Sequence, residues 1–349
     1  MMPGPGPSAS ADTLVSVAIP AYNAQATIAQ TLDSLLAQTH QNLDIVVVDD
    51  GSTDGTWDVL QRYGDRVRAI RQANAGIGAA RNASVQAARG EFIALLDADD
   101  LCMPQRLAVQ LHYLQTHPDI LLCSSDFSAF DDSGPLGTSY CGVYYHRCNP
   151  AHGGVRARYP HATSFSPIAG EDPVRVYWGQ VHDELVQGNF IHPPTVMFRR
   201  EALQRAGGFD PDIKIICEWE WFVRVARAGP VAYLDLPLLN YRRSPTQISS
   251  DPRAAVDSLR VARKIHAREA GQPPGKFRLK WRHLGALSLS AADALAEMEP
   301  GQALGLLASS VFVYHHVKGQ TLRTLFKIAM PAGVLNWMRA RRAHARPTP

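Results

Sequence analysis

Three carboxylates fall within four residues at Asp97-Ala98-Asp99-Asp100. Held that close they repel one another unless a cation sits among them. Hard oxygen ligands suit Mg²⁺ or Mn²⁺, ions that usually also take phosphate oxygens from a substrate. The same acids can instead open the helix expected from Pro104, where negative charge meets the positive end of the helix dipole. A second acidic cluster, Asp49-Asp50-Gly51-Ser52-Thr53-Asp54-Gly55, either turns a strand into a helix or offers an Asp to a donor on a ligand, such as the N–H of a uracil ring, with glycines permitting close approach. A third, Cys217-Glu218-Trp219-Glu220-Trp221-Phe222-Val223-Arg224, sets two acids among aromatics. Apolar surroundings make a carboxylate a better proton acceptor, which suits a general base working on a hydroxyl; the alternative is a helix start whose acids pair with Arg224 or Arg227.

Gly76-Ile77-Gly78-Ala79-Ala80-Arg81 imitates a dinucleotide fingerprint, with Asp97 placed roughly where a ribose-binding acid would fall. Arg81 argues against it, because the third glycine of that fingerprint allows helix and strand to pack closely. An arginine there offers a fork of donors to a phosphate or a base instead. His192, ahead of Pro193-Pro194, is a candidate for touching an acceptor, with a structural role as the alternative, and Trp219, Trp221 and Phe222 offer either sugar-stacking surface or core.

These groups need a frame that aims them at one place. Leu14 to Ile19 reads as a strand ended by Pro20, followed by a helix face at Ile28, Leu32, Leu35 and Leu36. Ile45 to Val48 is a β-branched run of the kind buried on both faces of a parallel sheet. A helix from Ser52 to Tyr63, a strand from Val67 to Arg71, a helix from Gly76 to Arg89 and a strand from Phe92 to Leu96 follow. This alternation predicts an α/β fold with a doubly wound, mostly parallel sheet. Ala21-Tyr22-Asn23, Asp49-Asp50, Asn74 and Asp97 each fall just past the carboxyl end of a predicted strand, where open α/β sheets bind ligands. A helix from Pro104 to Thr116 and a strand from Ile120 to Cys123 come next. Asp131 to Asp172 has no period and is too long for a mere connection, so it reads as a functional loop region facing a substrate. A strand at Thr195 to Phe198 and helices at Glu201 to Ala206 and Glu218 to Ala228 precede a mostly helical remainder, interrupted at Pro273-Pro274-Gly275 and Pro331.

With 349 residues, 46% hydrophobic and 19% charged, the chain falls among ordinary globular proteins of about two domains. Five widely spaced cysteines with no C-x-x-C pair suit a reducing, cytoplasmic location. No run of 18 apolar residues predicts a membrane span, and residues 1–13 read as a disordered tail rather than a signal peptide. From Pro300 onward there are seven Lys/Arg and no acid, so the remaining residues carry −4 of the net +3. Such a tail suits an anionic surface, lipid or nucleic acid; a solvated helix face is the alternative.

The order Ile19-Pro20-Ala21-Tyr22-Asn23, Val47-Val48-Asp49-Asp50-Gly51-Ser52-Thr53-Asp54-Gly55-Thr56, Asn74-Ala75-Gly76, Ala80-Arg81-Asn82, Arg89-Gly90-Glu91 and Leu95-Leu96-Asp97-Ala98-Asp99-Asp100 resembles the family 2 glycosyltransferases of the GT-A fold. The resemblance spans about Leu14 to Arg242. It implies a Rossmann-like three-layer α/β/α domain over 14–245, with 14–125 binding the nucleotide sugar and 126–245 the acceptor; residues 246–349, outside the resemblance, read from their pattern and charge as a helical, basic region. By that likeness Pro20, Tyr22, Asn23, Asp49, Asp50, Asn74, Gly76, Asp97 and Ala98 line the nucleotide-sugar pocket, and Arg81 approaches the base or diphosphate. Asp97 and Asp99 form the D-x-D, with Asp99 the direct ligand of Mg²⁺ or Mn²⁺. The family's catalytic Asp aligns with Glu218, one methylene longer, with Glu220 as the other candidate base; His192 and Trp219 are candidates for the acceptor side.

The processive members of the family carry Gln-x-x-Arg-Trp and membrane spans, which this sequence lacks, so the resemblance implies transfer of a single sugar. The implied reaction is inverting and metal-dependent, from a UDP-sugar to a hydroxyl of a carbohydrate or lipid-linked acceptor, in cell-surface polysaccharide or glycolipid assembly, with no nucleic-acid partner. Two other readings stand beside it, a sugar nucleotidyltransferase and a non-catalytic binder of sugar nucleotides. Leu322, Leu325, Phe326 and Ala329 share a helical face with Lys and Arg around it, which suits a segment lying on the inner membrane leaflet; a helix packed on the catalytic domain is the alternative.

Overall fold

The computed structural model of the chain describes residues 12–167, 172–213, 215–244, 247, 251–270 and 280–330. Most of the expected N-terminal tail, the Pro273-Pro274-Gly275 and Pro331 interruptions and the basic residues from Arg339 onward lie outside the described residues. The chain divides into two compact units, Met1–Pro245 and Thr246–Pro349.

In the first unit the early elements are β1 (Val15–Ala21), α1 (Ile28–Leu36), β2 (Leu43–Asp49), α2 (Thr56–Gln61), β3 (Arg68–Arg71), α3 (Ile77–Ala87) and β4 (Phe92–Leu95). Then come β5 (Leu101–Cys102), α4 (Arg106–Thr116), β6 (Leu122–Asp131), β7 (Gly134–Gly137), α5 (Cys141–Tyr144), β8 (His161–Phe165), β9 (Val174–Gly179), α6 (His182–Val186), β10 (Met197–Arg199), α7 (Arg200–Ala206), α8 (Cys217–Ala228) and β11 (Val231–Arg242). One sheet runs in the order β3-β2-β1-β4-β10-β6-β11-β9-β8, with β5 on β11 and β7 on β6. The pairs β1–β2, β1–β4, β2–β3 and β6–β11 are parallel, and β10 enters antiparallel between β4 and β6. The pairs β5–β11, β6–β7, β8–β9 and β9–β11 are antiparallel too, so the sheet is mixed; its parallel β3-β2-β1-β4 half, the α/β architecture and the helical C-terminal region are as expected.

Hydrophobic burial fixes the register. Val15, Val17, Ile19 and Val46 to Val48 are fully buried, as are Leu32 and Leu35 on the inner face of α1. Pro20 does not end β1. Pairing with β4 stops at Ala18 while pairing with β2 continues to Ala21, so the proline sits where the strand is paired on one side only. The largest departure from expectation is β11, a twelve-residue strand down the middle of the sheet. Its Pro237 coincides with the register shifts against β6, which is how a proline is carried inside a strand. The stretch from Asp131 to Asp172, expected as one irregular loop region, holds β7, α5, three 3₁₀ turns and β8 among its described residues.

The second unit contains α9 (Ala254–Glu269), α10 (Lys280–Leu295), α11 (Pro300–Ala308) and α12 (Gly319–Ala329), with a π-helical turn at Ser309–Val313. Leu289, Ala292 and Leu307 make a small core joined by Leu306 and Ile328. Thr324 Oγ1 and Lys327 Nζ both reach Asp293, at 2.9 and 2.8 Å. Lys327 is thus tied down, while Leu322, Leu325 and Phe326 of α12 and Phe312, Val313 and Val317 before it are exposed. No helix among the described residues is long and apolar enough to cross a membrane.

Candidate active site

The acidic loop after β2 is built by its own carboxylates. Asp49 Oδ1 accepts from the Ser52 N–H at 2.9 Å, and Arg71 Nε lies 3.2 Å from its other oxygen. Asp50 accepts from the backbone N–H of Ala75 (2.9 Å) and Gly76 (2.8 Å) and from Gln72 Nε2 (2.7 Å). Gly51 has φ +71°, and a Cβ there would sit 2.8 Å from the Asn74 nitrogen, so only glycine lets the two loops lie against each other. Asn23, itself at φ +48°, donates its N–H to Ser52 Oγ and accepts from the Thr53 N–H. Asp50 and Asn23 therefore clasp three strand-end loops into one wall; Tyr22 and Asn74 stand exposed on it and Pro20 lies beneath.

The loop after β4 carries Asp97, Ala98, Asp99 and Asp100. The Ala98 carbonyl accepts from Thr27 Oγ1 at 2.9 Å. Arg242, at the end of β11, holds the loop from the other side: its N–H donates to Asp100 Oδ1 at 2.9 Å and its Nε to the Asp99 carbonyl at 3.0 Å. Asp100 is fully buried, with Oδ2 lacking a hydrogen-bond partner among the described residues. Burial and the adjacent charges of Asp99 and Asp97 push its carboxyl well above the usual range.

Arg81 joins this loop to α8. Its Nη2 donates to Asp97 Oδ1 at 2.8 Å and its Nη1 to Glu218 Oε2 at 2.9 Å, with Cys217 Sγ 3.7 Å away. The guanidinium is 3% exposed, whereas the Asp97 and Glu218 side chains are 31% and 13% exposed, so the arginine is the buried hub and the two carboxylates face outward from it. Burial opposes the arginine's charge, but the two carboxylates prevail and hold it firmly protonated. Burial also pushes the Cys217 thiol up to about 12, which keeps it a neutral packing group.

Helix α3 can deliver Arg81 because it docks on the segment before α8. A Cβ on Gly78 would lie 3.3 Å from the Ile213 carbonyl oxygen, and Asn82 exchanges two 2.7 Å hydrogen bonds with the Phe209 backbone. Helix α8 starts from Ile216 at φ +62°, a left-handed conformation that costs a β-branched residue on the order of 1–3 kcal/mol.

Two of the expected site residues are buried and paired. Glu220, the other candidate base, is 1% exposed and forms a two-pronged ion pair with Arg224 at 2.8 Å. Arg224 in turn donates to the Ala206 and Gly208 carbonyls, so Glu220 belongs to the clamp holding α8 against α7. Trp219 is 3% exposed and spends its indole N–H on the Leu185 carbonyl at 2.7 Å, which leaves no face for a sugar; Trp221 and Phe222 are core as well. Helical spacing puts i and i+2 on different faces, so Glu218 meets Arg81 while Glu220 meets Arg224.

His192 is buried against Phe127 and Tyr241, and burial drives its imidazole down to about 3, so it is neutral. Tyr145, which the sequence did not single out, bonds to it. Arg242 was likewise seen only as the end of a segment; nothing in the sequence tells that β11 carries it back to the acidic loop.

Asp97 and Asp99 carry hard carboxylate oxygens in the same loop as the unpartnered Oδ2 of Asp100. Among the described residues no group of three or more His, Cys, Asp or Glu could hold a metal ion by itself. Mg²⁺ and Mn²⁺ commonly rely on one or two protein carboxylates and fill the remaining positions with phosphate and water, and the side chains of Asp97 and Asp99 are donors of that kind.

The fold and the two strand-end acidic loops define a GT-A glycosyltransferase architecture. The chain belongs to glycosyl transferase family 2, whose family model matches residues 16–206, more than half its length. It is 40% identical over 105 residues to the Escherichia coli UDP-Glc:alpha-D-GlcNAc-diphosphoundecaprenol beta-1,3-glucosyltransferase WfaP, covering 30% of this chain and 42% of that one. Across the most similar curated relatives the match spans about half their length or less, from 36% to 54%. Staphylococcus aureus TarS in complex with UDP-GlcNAc superposes with a TM-score of 0.58 at 17% identity, covering 86% of this chain and 80% of that one. The mannosyltransferase PcManGT of Pyrobaculum calidifontis, in complex with GDP-Man and Mn²⁺, does so with 0.52 at 18% identity, covering 93% and 82%. At these identities the two structures speak for the fold alone.

Proposed function

We propose that this chain transfers a single sugar from a UDP-sugar to a hydroxyl of a carbohydrate or lipid-linked acceptor, with inversion and with Mg²⁺ or Mn²⁺, in cell-surface polysaccharide or glycolipid assembly. The observation that carries this reading is Arg81 standing between Asp97 and Glu218. One buried cation fixes the distance between a carboxylate of the D-x-D and a carboxylate on another helix, which is what a displacement between two substrates requires.

In this reading residues 14–125 hold the donor and 126–245 the acceptor. Tyr22, Asp49 and Asn74 face the nucleoside over Pro20, while Asn23, Asp50 and Gly76 keep that wall in shape and Ala98 spaces the acids. Asp99, with Asp97, would hold the divalent cation, which when bound offsets the charge of the leaving diphosphate. Glu218 accepts the proton of the acceptor hydroxyl as its oxygen attacks the anomeric carbon from the face opposite the diphosphate, and inversion follows. Arg81 keeps Glu218 aimed, and its longer side chain compared with Asp is taken up by that contact. The use of a UDP-sugar and a diphosphoprenol-linked acceptor by WfaP supports the choice of substrates.

Incubation with UDP-glucose, Mn²⁺ and an N-acetylglucosaminyl-diphosphoprenol tests the chemistry. The β-anomeric product, seen in the proton coupling of the new linkage, is expected from the α-linked donor; an α-linked product contradicts Glu218 as base in a single displacement.

The second unit supports a cytoplasmic enzyme held at the inner leaflet. Phe312, Val317, Leu322 and Phe326 are exposed, and the last fifty residues carry seven basic side chains and no acid. Full-length protein sedimented with vesicles containing anionic lipid should bind, and a Leu322→Glu, Phe326→Glu variant should not. Equal binding by both sinks this part.

A further inference from the structure

The ring of His192 is fixed by its neighbours. It stacks on Phe127 with centroids 4.2 Å apart and planes 16° apart, and stands edge-on to Tyr241 at 4.8 Å. A phenyl ring would serve that packing equally well, so packing does not account for two ring nitrogens in a residue 6% exposed.

Nδ1 lies 3.2 Å from Tyr145 Oη, and the same hydroxyl lies 3.1 Å from the Ile191 carbonyl oxygen. A phenol has one proton to give. If Tyr145 gave it to Nδ1, two oxygens would face each other across 3.1 Å with no proton between them. If Tyr145 gives it to the Ile191 carbonyl, Nδ1–H donates to Oη and each contact holds a proton. The second arrangement leaves Nε2 as a bare lone pair, buried and without a partner among the described residues. Buried polar atoms are nearly always paired, so this lone pair calls for a donor from outside the chain, a water or a ligand hydroxyl. Tyr241, edge-on to the ring, is followed by Arg242, whose N–H and Nε hold Asp100 and the Asp99 carbonyl, so β11 carries the ring's packing partner and the anchor of the acidic loop on adjacent residues.

We propose that His192 Nε2 is a fixed hydrogen-bond acceptor for a sugar hydroxyl in the transfer site, with Tyr145 setting the tautomer. The inference rests on the functional reading above, goes beyond it in assigning the ring a permanent acceptor role, and removes His192 from proton transfer. Donor and acceptor both carry hydroxyls, and the experiment separates them.

Imidazole ¹⁵N spectra of the full-length protein, with His192 assigned by the signal missing from His192→Phe, read the tautomer without a ligand. A protonated Nδ1 and bare Nε2 are expected; Nε2–H overturns the proposal whatever the site does. Binding then identifies the source of the hydroxyl. His192→Phe keeps the stack on Phe127 and should bind UDP as the parent does. If the hydroxyl is the donor's, affinity for UDP-glucose falls roughly 2- to 10-fold, the effect of one neutral hydrogen bond. If it is the acceptor's, UDP-glucose affinity holds and the KM for N-acetylglucosaminyl-diphosphoprenol rises by that factor. His192→Gln, whose amide oxygen still accepts, should recover part of either loss. Unchanged UDP-glucose affinity and acceptor KM in His192→Phe overturn the proposal and leave the functional reading standing. A parent protein that binds neither UDP nor UDP-glucose takes down both.

Discussion

Arg81 and Glu218 are 137 residues apart in sequence and 2.9 Å apart in the structure, joined through a guanidinium that also holds Asp97. Removing the hub leaves two partly exposed carboxylates without the buried cation they share. Arg81→Met is expected to cost about 3–5 kcal/mol of stability, as breaking a buried ion pair does. Urea denaturation reads the loss, and a change below about 1 kcal/mol would show that the triad is not a structural unit.

Glu218 and Glu220 make opposite predictions. Glu218→Gln should keep its fold and bind nucleotide as the parent does, yet lose about 10²- to 10⁴-fold in transfer rate, the usual contribution of a general base. Glu220→Gln should lower the melting temperature, because it breaks the Arg224 clamp, and leave turnover per folded molecule within a few-fold of the parent. Initial rates corrected for the folded fraction decide between them. Reversed phenotypes would move the base to Glu220.

Asn82 tests positioning without touching the chemistry. Its two hydrogen bonds to the Phe209 backbone dock α3 on the approach to α8. Asn82→Ala should destabilise by about 1–3 kcal/mol, the cost of leaving buried backbone groups unpaired. It should also lower the transfer rate more than nucleotide affinity, since Arg81 and Glu218 lose their common alignment. An equal fall in both would point to general loosening.

Much of this was legible in the sequence. The β-branched run at Ile45 to Val48 and the helix face at Ile28 to Leu36 are local patterns that tertiary packing only confirms. The acids after β2 and β4 are adjacent in sequence, so their clusters stand out. What sequence could not give was partnership across distance: that Arg242 returns on β11 to pin Asp99 and Asp100, or that Glu220 turns inward to Arg224. Pro237 disguised β11 because a proline argues against a central strand, and only the register shifts against β6 show how the sheet absorbs it. Tyr145 lies in an aperiodic stretch where no spacing rule applies, and its meaning comes only from the ring it touches.

Acid stability should be governed in part by Asp44. Burial raises its carboxyl, but bonds from Arg68, Ser16 and the Arg89 N–H outweigh that and hold it below the ordinary value of 3.8. A carboxyl lowered in the folded state stabilises above its unfolded value, and that contribution is lost as pH falls through the folded one. Asp44→Asn should therefore melt lower than the parent at pH 7, and the gap should narrow as pH drops below about 4. A gap independent of pH would mean that the loss is one of packing.

In the proposed function Asp97, Arg81, Asp99 and Glu218 would form a metal-assisted site for a nucleotide sugar. It is tested most directly by melting the full-length protein with UDP-glucose, UDP-N-acetylglucosamine, GDP-mannose and the free diphosphates, each with Mn²⁺, with Mg²⁺ and with chelator, because ligands that bind the folded state raise its melting temperature. A rise with a UDP-sugar that requires the cation and disappears in Asp99→Asn is the predicted result. No rise with any donor, or a rise of equal size with chelator and in Asp99→Asn, would contradict it.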